Sequence, residues 1–152
     1  WNGADVLVGR GGGDRLQGDA GNDTLKGGSG NDELRGGAGR DVLNGGSDQD
    51  RFVFSSAADS QTGIGIRDLI EDFVSGVDKI DLSGIDASSI HTGEQAFKFI
   101  AGHTFNGIAG ALRYKTEGGN TILEGDLDGN KVADFQIELK GIIDLALTDF
   151  IL

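Results

Sequence analysis

Gly27-Gly28-Ser29-Gly30-Asn31-Asp32-Glu33-Leu34-Arg35 runs directly into Gly36-Gly37-Ala38-Gly39-Arg40-Asp41-Val42-Leu43-Asn44. The two stretches place Gly, Asp and Leu identically, and the same nine-residue frame extends both ways. Upstream it gives Gly18-Asp19-Ala20-Gly21-Asn22-Asp23-Thr24-Leu25-Lys26 and Gly9-Arg10-Gly11-Gly12-Gly13-Asp14-Arg15-Leu16-Gln17. Downstream it gives Gly45-Gly46-Ser47-Asp48-Gln49-Asp50-Arg51-Phe52-Val53, and a truncated first copy supplies Gly3, Asp5 and Leu7. Asp therefore recurs at 5, 14, 23, 32, 41 and 50, a large apolar residue at 7, 16, 25, 34, 43 and 52, and Gly at 3, 12, 21, 30 and 39. A flexible Gly-rich linker carries no such phase. Six in-phase copies mark a structural repeat.

Elementary geometry turns this pattern into a fold. The apolar residue and its two neighbours predict a three-residue strand, with the middle side chain inward and the flanking ones outward. The Gly-rich six predict a turn, because Gly reaches positive φ without steric cost. Strand, turn, strand, turn closes one coil in eighteen residues, and coils stack as a parallel β-roll. Such a roll is poor in apolar core. One buried Leu contributes about 2 kcal/mol, while ordering nine backbones costs roughly 1–2 kcal/mol each. The turns need another source of stability.

Calcium meets that need, because Ca²⁺ takes six to eight hard oxygen ligands in a tolerant geometry. The candidate ligands are the carboxylates of Asp5, Asp14, Asp23, Asp32, Asp41 and Asp50 and the turn residues that flank them with carbonyls. Those turn residues are Gly9, Gly11 and Gly12; Gly18, Ala20 and Gly21; Gly27, Gly28, Ser29 and Gly30; Gly36, Gly37, Ala38 and Gly39; and Gly45 with Ser47. Aspartates eighteen apart stack on one side of the roll. The pairs are Asp5/Asp23, Asp14/Asp32, Asp23/Asp41 and Asp32/Asp50, room for about four ions. Zn²⁺ fits poorly: the chain has no Cys, and His91 and His103 lie outside the repeats. Mg²⁺ fits less well than Ca²⁺ because it gives up its water reluctantly.

The motif Gly-Gly-x-Gly-x-Asp-x-Leu-x resembles the RTX, or hemolysin-type, calcium-binding nonapeptide. It is matched most fully at 27–35 and 36–44 and departs from Gly at Arg10, Asp19 and Asp48.

After Phe54 the repeat fades and short strand patterns take over. The candidates are Asp68 to Phe73, Lys79 to Leu82, Ala96 to Ile100, Leu112 to Lys115, Thr121 to Glu124 and Phe135 to Leu139. Ser75-Gly76, Glu117-Gly118-Gly119-Asn120 and Asp128-Gly129-Asn130 read as turns between them, and Asp86 to Ile90 as a short helix. The expected fold is all-β: residues 1–54 form the parallel roll, and residues 55–152 an antiparallel, sandwich-like β cap over its open end. This half resembles the C-terminal domain of serralysin-type secreted metalloproteases. The matching stretches are Ile70-Glu71-Asp72-Phe73-Val74-Ser75-Gly76-Val77-Asp78-Lys79-Ile80-Asp81-Leu82-Ser83, Gln95-Ala96-Phe97, Leu112-Arg113-Tyr114, Gly125 to Phe135 and Asp149-Phe150-Ile151-Leu152. The resemblance implies a secreted, extracellular module without catalytic residues of its own, attached to an N-terminal catalytic domain such as a protease or lipase. It also implies that the terminal four residues are read by a type I secretion system.

Three further features carry weaker signals. Asp59 and Asp68 stay in phase with the repeat and are candidates for a last ion where roll meets cap. Asp126-Leu127-Asp128-Gly129-Asn130-Lys131-Val132-Ala133-Asp134 spaces its oxygens like an EF-hand loop, but Ile137 stands where the bidentate Glu belongs; a plain hairpin turn is the alternative. Arg15, Arg35 and Arg51 project from one face, where a basic stripe would hold an anionic polysaccharide or merely solvate the sheet.

Composition sets outer limits. A net charge of −12 disfavours nucleic acid and anionic membranes. No apolar run approaches the roughly 20 residues of a membrane-spanning helix. Without Cys there is no disulfide framework. There is no His-Glu-x-x-His motif or nucleophile elbow around His91 or His103. The start, Trp1-Asn2-Gly3, reads as a cut from a longer protein rather than a signal peptide.

Overall fold

The computed structural model describes residues 2–152; Trp1, and with it the first residue of the Trp1-Asn2-Gly3 start, lies outside them. Each nonapeptide gives one strand: β1 (Val6–Gly11), β2 (Arg15–Ala20), β3 (Thr24–Ser29), β4 (Glu33–Ala38), β5 (Val42–Ser47) and β6 (Arg51–Val53). Odd and even strands separate into two parallel stacks, β1-β3-β5 and β2-β4-β6. The register advances eighteen residues per coil: Leu7 faces Leu25, Leu25 faces Leu43, Leu16 faces Leu34 and Leu34 faces Phe52. Leu25, Leu34, Leu43 and Phe52 are completely buried between the sheets.

The strands are longer than the three residues expected. β1 to β5 each span six residues, running through the start of the following nonapeptide. The pairing skips one residue midway: Val8 faces Lys26 and Arg10 faces Gly28, with Gly9 and Gly27 left out. The chain bends at that glycine and re-enters the ladder with positive φ, 118° at Gly28 and 100° at Gly37. Turn amides and carbonyls must pair as strictly as strand ones, and stacking lets them. Gly3, Gly12, Gly21 and Gly30 donate their N–H groups to the carbonyls of Ala20, Ser29, Ala38 and Ser47 in the next coil.

The two stacks continue past the repeats. β7 (Asp68–Ile70) adds in parallel to β5 and β8 (Lys79–Asp81) to β6, so that Ile70 faces Leu43 and Ile80 faces Phe52. Then follow β9 (Lys98–Phe99), β10 (Ala111–Glu117), β11 (Asn120–Asp126), β12 (Phe135–Leu139), one 3-10 turn (Leu147–Asp149) and β13 (Phe150–Ile151). β10, β11 and β12 form an antiparallel meander. Its first hairpin closes through Gly118 and Gly119 at φ 61° and 86°, the double positive φ that a tight two-residue turn requires. β12 pairs in parallel with β7, and β13 with β8. The result is all-β: an eight-stranded sheet ordered β1-β3-β5-β7-β12-β11-β10-β9 faces a five-stranded sheet ordered β13-β8-β6-β4-β2.

Aromatic packing fills the C-terminal end, with Phe97 edge-on to Phe135 at 5.7 Å and Phe99 tilted against Phe150 at 4.9 Å. The helix expected over Asp86 to Ile90 does not form; those residues make turns. Asp86 Oδ1 accepts the N–H groups of Ser88 and Gln95, a local side-chain turn that fastens the segment to Gln95. Among the described residues, no helix is long and apolar enough to cross a membrane.

Candidate metal centre in the turns of the roll

The recurring aspartates form two columns, one along each row of turns. In the first, the Asp5 N–H donates to Asp23 Oδ1 (2.8 Å), Asp23 N–H to Asp41 Oδ1 (2.8 Å) and Asp41 N–H to Asp68 Oδ1 (2.8 Å). In the second, Asp14 N–H donates to Asp32 Oδ1 (2.8 Å), Asp32 N–H to Asp50 Oδ1 (2.9 Å) and Asp50 N–H to Asp78 Oδ1 (3.1 Å). The eighteen-residue coil therefore brings together every pair expected from spacing. Asp23, Asp32, Asp41, Asp50 and Asp68 are at most 2% exposed.

In Asp23, Asp32, Asp41, Asp50 and Asp68 only Oδ1 is satisfied in this way, whereas Asp78 also accepts the Val74 amide on Oδ2. Oδ2 of Asp14, Asp23, Asp32, Asp41 and Asp68 is buried with no hydrogen-bond partner. A buried, unpaired carboxylate oxygen is costly, and here it recurs at these five aspartates. The first glycine of each nonapeptide makes room for it. A Cβ on Gly9, Gly18, Gly27, Gly36 or Gly45 would stand 2.2–2.5 Å from Oδ2 of Asp14, Asp23, Asp32, Asp41 or Asp50. The Gly27 position also lies 2.6 Å from the carbonyl oxygen of Gly45 in the next coil. Gly12, Gly21, Gly30 and Gly39 serve differently, holding left-handed φ values between 93° and 139°. The same backbone is imposed on Arg10, Asp19 and Asp48, at φ 88°, 73° and 82°.

The electrostatics favour a cation among these carboxylates. Burial pushes the Asp41 carboxyl up to about 6, helped by the charges of Asp23 and Asp59. Burial does the same to Asp50, also to about 6, with Asp78, Asp32 and Asp72 adding repulsion. Asp68 rises to about 8 through burial and the Asp41 and Asp59 charges, against the opposing pull of Arg40. Hard oxygens, unpaired and mutually repelling, suit Ca²⁺ rather than a soft or imidazole-seeking metal.

Asp68, expected at the end of the roll, sits over Asp41, twenty-seven residues away. The segment between Phe54 and Arg67 forms no strand, so the phase slips by one nonapeptide and Asp68 joins the first column. Asp59 stands beside the column: its Oδ2 accepts the Ser55 and Ser56 amides. Two residues were missed by repeat reading. Asp78 ends the second column, and Asp72 receives the Gly45 and Gly46 amides at 3.0 and 2.8 Å. A signal for Asp78 was present. Asp50-Arg51-Phe52, Asp68-Leu69-Ile70 and Asp78-Lys79-Ile80 repeat Asp-x-apolar without the glycines.

The other candidates fall elsewhere. Asp126, Asp128 and Asp134 bring carboxylate oxygens within 4.8 Å of one another in the β11–β12 loop, but Gly129 and Lys131 amides already occupy both Asp126 oxygens. His91 and His103 are exposed, and His91 Nδ1 meets Ser88 Oγ at 2.7 Å. Arg15 and Arg35 lie 3.8 and 4.0 Å from Glu33, and Arg51 hydrogen-bonds it, which holds the Glu33 carboxyl below its usual range. The expected stripe is three guanidinium groups drawn onto Glu33, one of which, Arg51, also reaches Asp81 at 3.4 Å.

A parallel roll with an acidic ladder in each row of turns defines a nonapeptide-repeat module of the calcium-binding type. The chain belongs to the family described as peptidase M10 serralysin C terminal, whose profile matches residues 3–152. It is 39% identical over 90 residues to a metallopeptidase AprA of Pseudomonas marginalis, a match covering 59% of this chain and 17% of that protein. The chain thus accounts for a small part of that relative's length. Among solved structures it resembles the AlgE6R3 subunit of the Azotobacter vinelandii mannuronan C5-epimerase (TM-score 0.71, 31% identity, 99% of this chain and 78% of that one). It also resembles the AlgE6R2 subunit (TM-score 0.61, 29% identity, 95% and 91%). The matched family is the C-terminal module of serralysins, not their catalytic domain, and the neighbours are repeat subunits, in keeping with a non-catalytic module.

Proposed function

We propose that this chain is the calcium-dependent folding module of a secreted bacterial protein, carrying the signal that sends the protein out of the cell. The observation that carries the reading is the run of buried, partnerless Oδ2 atoms, those of Asp14, Asp23, Asp32 and Asp41 each cradled by a glycine. Ions held by Asp5, Asp14, Asp23, Asp32, Asp41, Asp50 and Asp68 with neighbouring turn carbonyls would neutralise the repulsion along both columns. Asp72 and Asp78 extend the ligand set toward the cap, and Asp59 adds negative charge at the end of the first column. Where calcium is scarce the carboxylates repel and the roll stays open. Outside the cell, millimolar calcium suits extracellular-range sites and contributes about 2.7 kcal/mol per site at a hundredfold excess over Kd.

Secretion fits the same scheme. Asp149 is fully buried, with its carboxylate bonded to Ser75 Oγ and to the Gly76 and Ala146 amides, and Phe150 is buried in β13. A type I machinery that reads these residues acts on the chain before β13 docks. Membership of the family supports an extracellular destination, an N-terminal catalytic partner and a protease-like parent as parts of the same proposal. The test is circular dichroism in chelator and in calcium. The β signal of the roll should vanish with EGTA and return with calcium; a chain equally folded in both would end the proposal.

A second reading is favoured by the likeness to two subunits of a mannuronan epimerase. The cluster of Arg15, Arg35 and Arg51 around Glu33 leaves positive charge in excess on the outer face of the five-stranded sheet. That face suits an anionic polysaccharide such as mannuronan. Affinity electrophoresis should show calcium-dependent retardation by mannuronan that is lost in an Arg15/Arg35/Arg51 triple alanine variant; unaltered mobility of the parent chain would exclude it.

A further inference from the structure

The residue just before each aspartate of the roll is Gly13, Asn22, Asn31, Arg40 or Gln49 in the repeats, and Arg67 stands there before Asp68. Asn22, Asn31 and Gln49 are exposed, whereas Arg67 is only 3% exposed. Its guanidinium is spread over three acceptors of the cap. Nε donates to Glu138 Oε2 (2.9 Å), Nη1 to Gln136 Oε1 (3.1 Å) and Nη2 to Glu117 Oε1 (2.9 Å). Gln136 and Glu138 lie in β12 and Glu117 ends β10, so one side chain fastens the start of β7 to two strands of the meander. A buried charge persists only where it is paired and hydrogen-bonded. A guanidinium suits this place because its rigid fork meets several acceptors at once, which an ammonium does not.

The consequence falls on the neighbouring residue. Asp68 is completely buried, and its N–H donates to Ser60 Oγ (2.9 Å), which donates in turn to the Gln136 carbonyl. Gln136 therefore holds this stretch twice, through Ser60 and through Arg67. The Asp68 carboxylate is left with Oδ1 on the Asp41 amide and Oδ2 unpartnered. The second column ends differently. Asp78 Oδ2 accepts the Val74 amide, a bond within its own turn, and the β8 strand that follows pairs with β6 and β13. We propose that Arg67 is the positioning residue of the last calcium site in the first column. By tying Asp68 to β10 and β12 it sets that carboxylate over Asp41, so the meander must dock before the site is complete. This inference rests on the calcium reading above. A neighbour that orients a ligand without touching the ion commonly governs affinity by roughly ten- to a hundredfold.

Two amides report on the two columns separately: Asp41 N–H, bonded to Asp68 Oδ1, and Asp50 N–H, bonded to Asp78 Oδ1. Their hydrogen exchange is followed by NMR across a calcium titration of the full chain, in the parent, in Arg67→Met and in Arg67→Lys. In Arg67→Met the calcium concentration that half-protects the Asp41 amide should rise roughly tenfold or more, while that of the Asp50 amide stays near the parent's. Arg67→Lys keeps the charge without the fork and should shift the Asp41 amide in the same direction by less. It also decides the matter if Arg67→Met fails to fold at any calcium concentration. Equal shifts of the two amides would make Arg67 a general support of the fold, and no shift in either would leave it without a part in the site; each result overturns the proposal. A parent whose amides both ignore calcium would overturn the calcium reading and this inference with it. A parent that responds to calcium, with variants that shift both amides alike, overturns the role of Arg67 alone.

Discussion

Asp32→Asn replaces one buried carboxylate by a near-isosteric amide. The amide oxygen can still accept the Asp14 N–H that now lies 2.8 Å from Oδ1, and the Asp32 N–H keeps its bond to Asp50. What changes is the charge and the partnerless Oδ2. Asp32 stands between Asp14 and Asp50 and borders two of the proposed ion positions, whereas Asp5 borders one. At a hundredfold excess of calcium each lost ion removes about 2.7 kcal/mol. Asp32→Asn should therefore destabilise the calcium-loaded module by about 5 kcal/mol and Asp5→Asn by about half as much, both large against a total of roughly 5–15 kcal/mol. Urea unfolding in millimolar calcium, followed by circular dichroism, measures the difference, and calorimetric titration counts the ions. In chelator the sign should turn: removing a charge that is 2% exposed relieves repulsion, and the variant should be no less ordered than the parent. Equal midpoint shifts for the two variants, or a loss as large in chelator as in calcium, would refute the pairing of carboxylates around shared ions.

Gly27→Ala places a methyl group 2.2 Å from Asp32 Oδ2 while leaving a backbone that any residue tolerates; calcium affinity at the adjoining site should fall roughly tenfold or more, seen in a calcium titration. The calcium-free chain should gain structure on acidification. Asp41 and Asp50 at about 6 and Asp68 at about 8 bind protons more tightly folded than at the ordinary 3.8, so the stability they contribute is complete below pH 3.8 and is lost as pH rises through 6 and 8. Circular dichroism of calcium-stripped protein between pH 8 and 4 checks this, and the calcium midpoint should move to higher concentration over the same interval. Asp78→Ala removes the acceptor of the Asp50 and Val74 amides; β8 and the β13 paired with it should exchange their amide hydrogens faster, with the meander unaffected.

The roll was legible because its constraints are local and repeated. Phase alone gave the coil length, the inward column from Leu7 to Phe52 and the aspartate pairs, since eighteen residues must return the chain to the same edge. Strand length was not legible. Six-residue strands arise because turn amides from Gly3 to Gly30 bond to the coil above, a contact that only stacking creates. Asp72 and Asp78 escaped for a related reason: their partners, Gly45, Gly46 and Asp50, lie 26 to 28 residues away, beyond the loop that breaks the period. The helix expected at Asp86 to Ile90 lost to an aspartate side chain, a competition that short apolar patterns do not reveal. Repeat spacing puts Arg15, Arg35 and Arg51 on one face, but the pull of Glu33 and Asp81 on them depends on cross-strand register.

A gradient along the roll fixes the order in which its ions should bind. At the C-terminal end Phe52, Ile70 and Ile80 are fully buried, and β7 and β8 are held by β12 and β13. At the other end Leu7 and Leu16 are only partly buried and Val6 is 72% exposed. In a stack where each coil contacts only its neighbours, stability is a sum of coil and interface contributions, and the coil resting on a formed surface orders first. The ions proposed at Asp41/Asp68 and Asp50/Asp78 would meet both conditions, a preformed partner carboxylate and an apolar floor; those proposed at Asp5 and Asp14 would meet neither until every later coil is in place. Hydrogen exchange at increasing calcium should therefore protect β5 to β8 at the lowest concentrations and β1 and β2 at the highest. Simultaneous protection of all coils would mean that the apolar C-terminal end does not direct assembly, and that the ions alone hold the stack in one cooperative step.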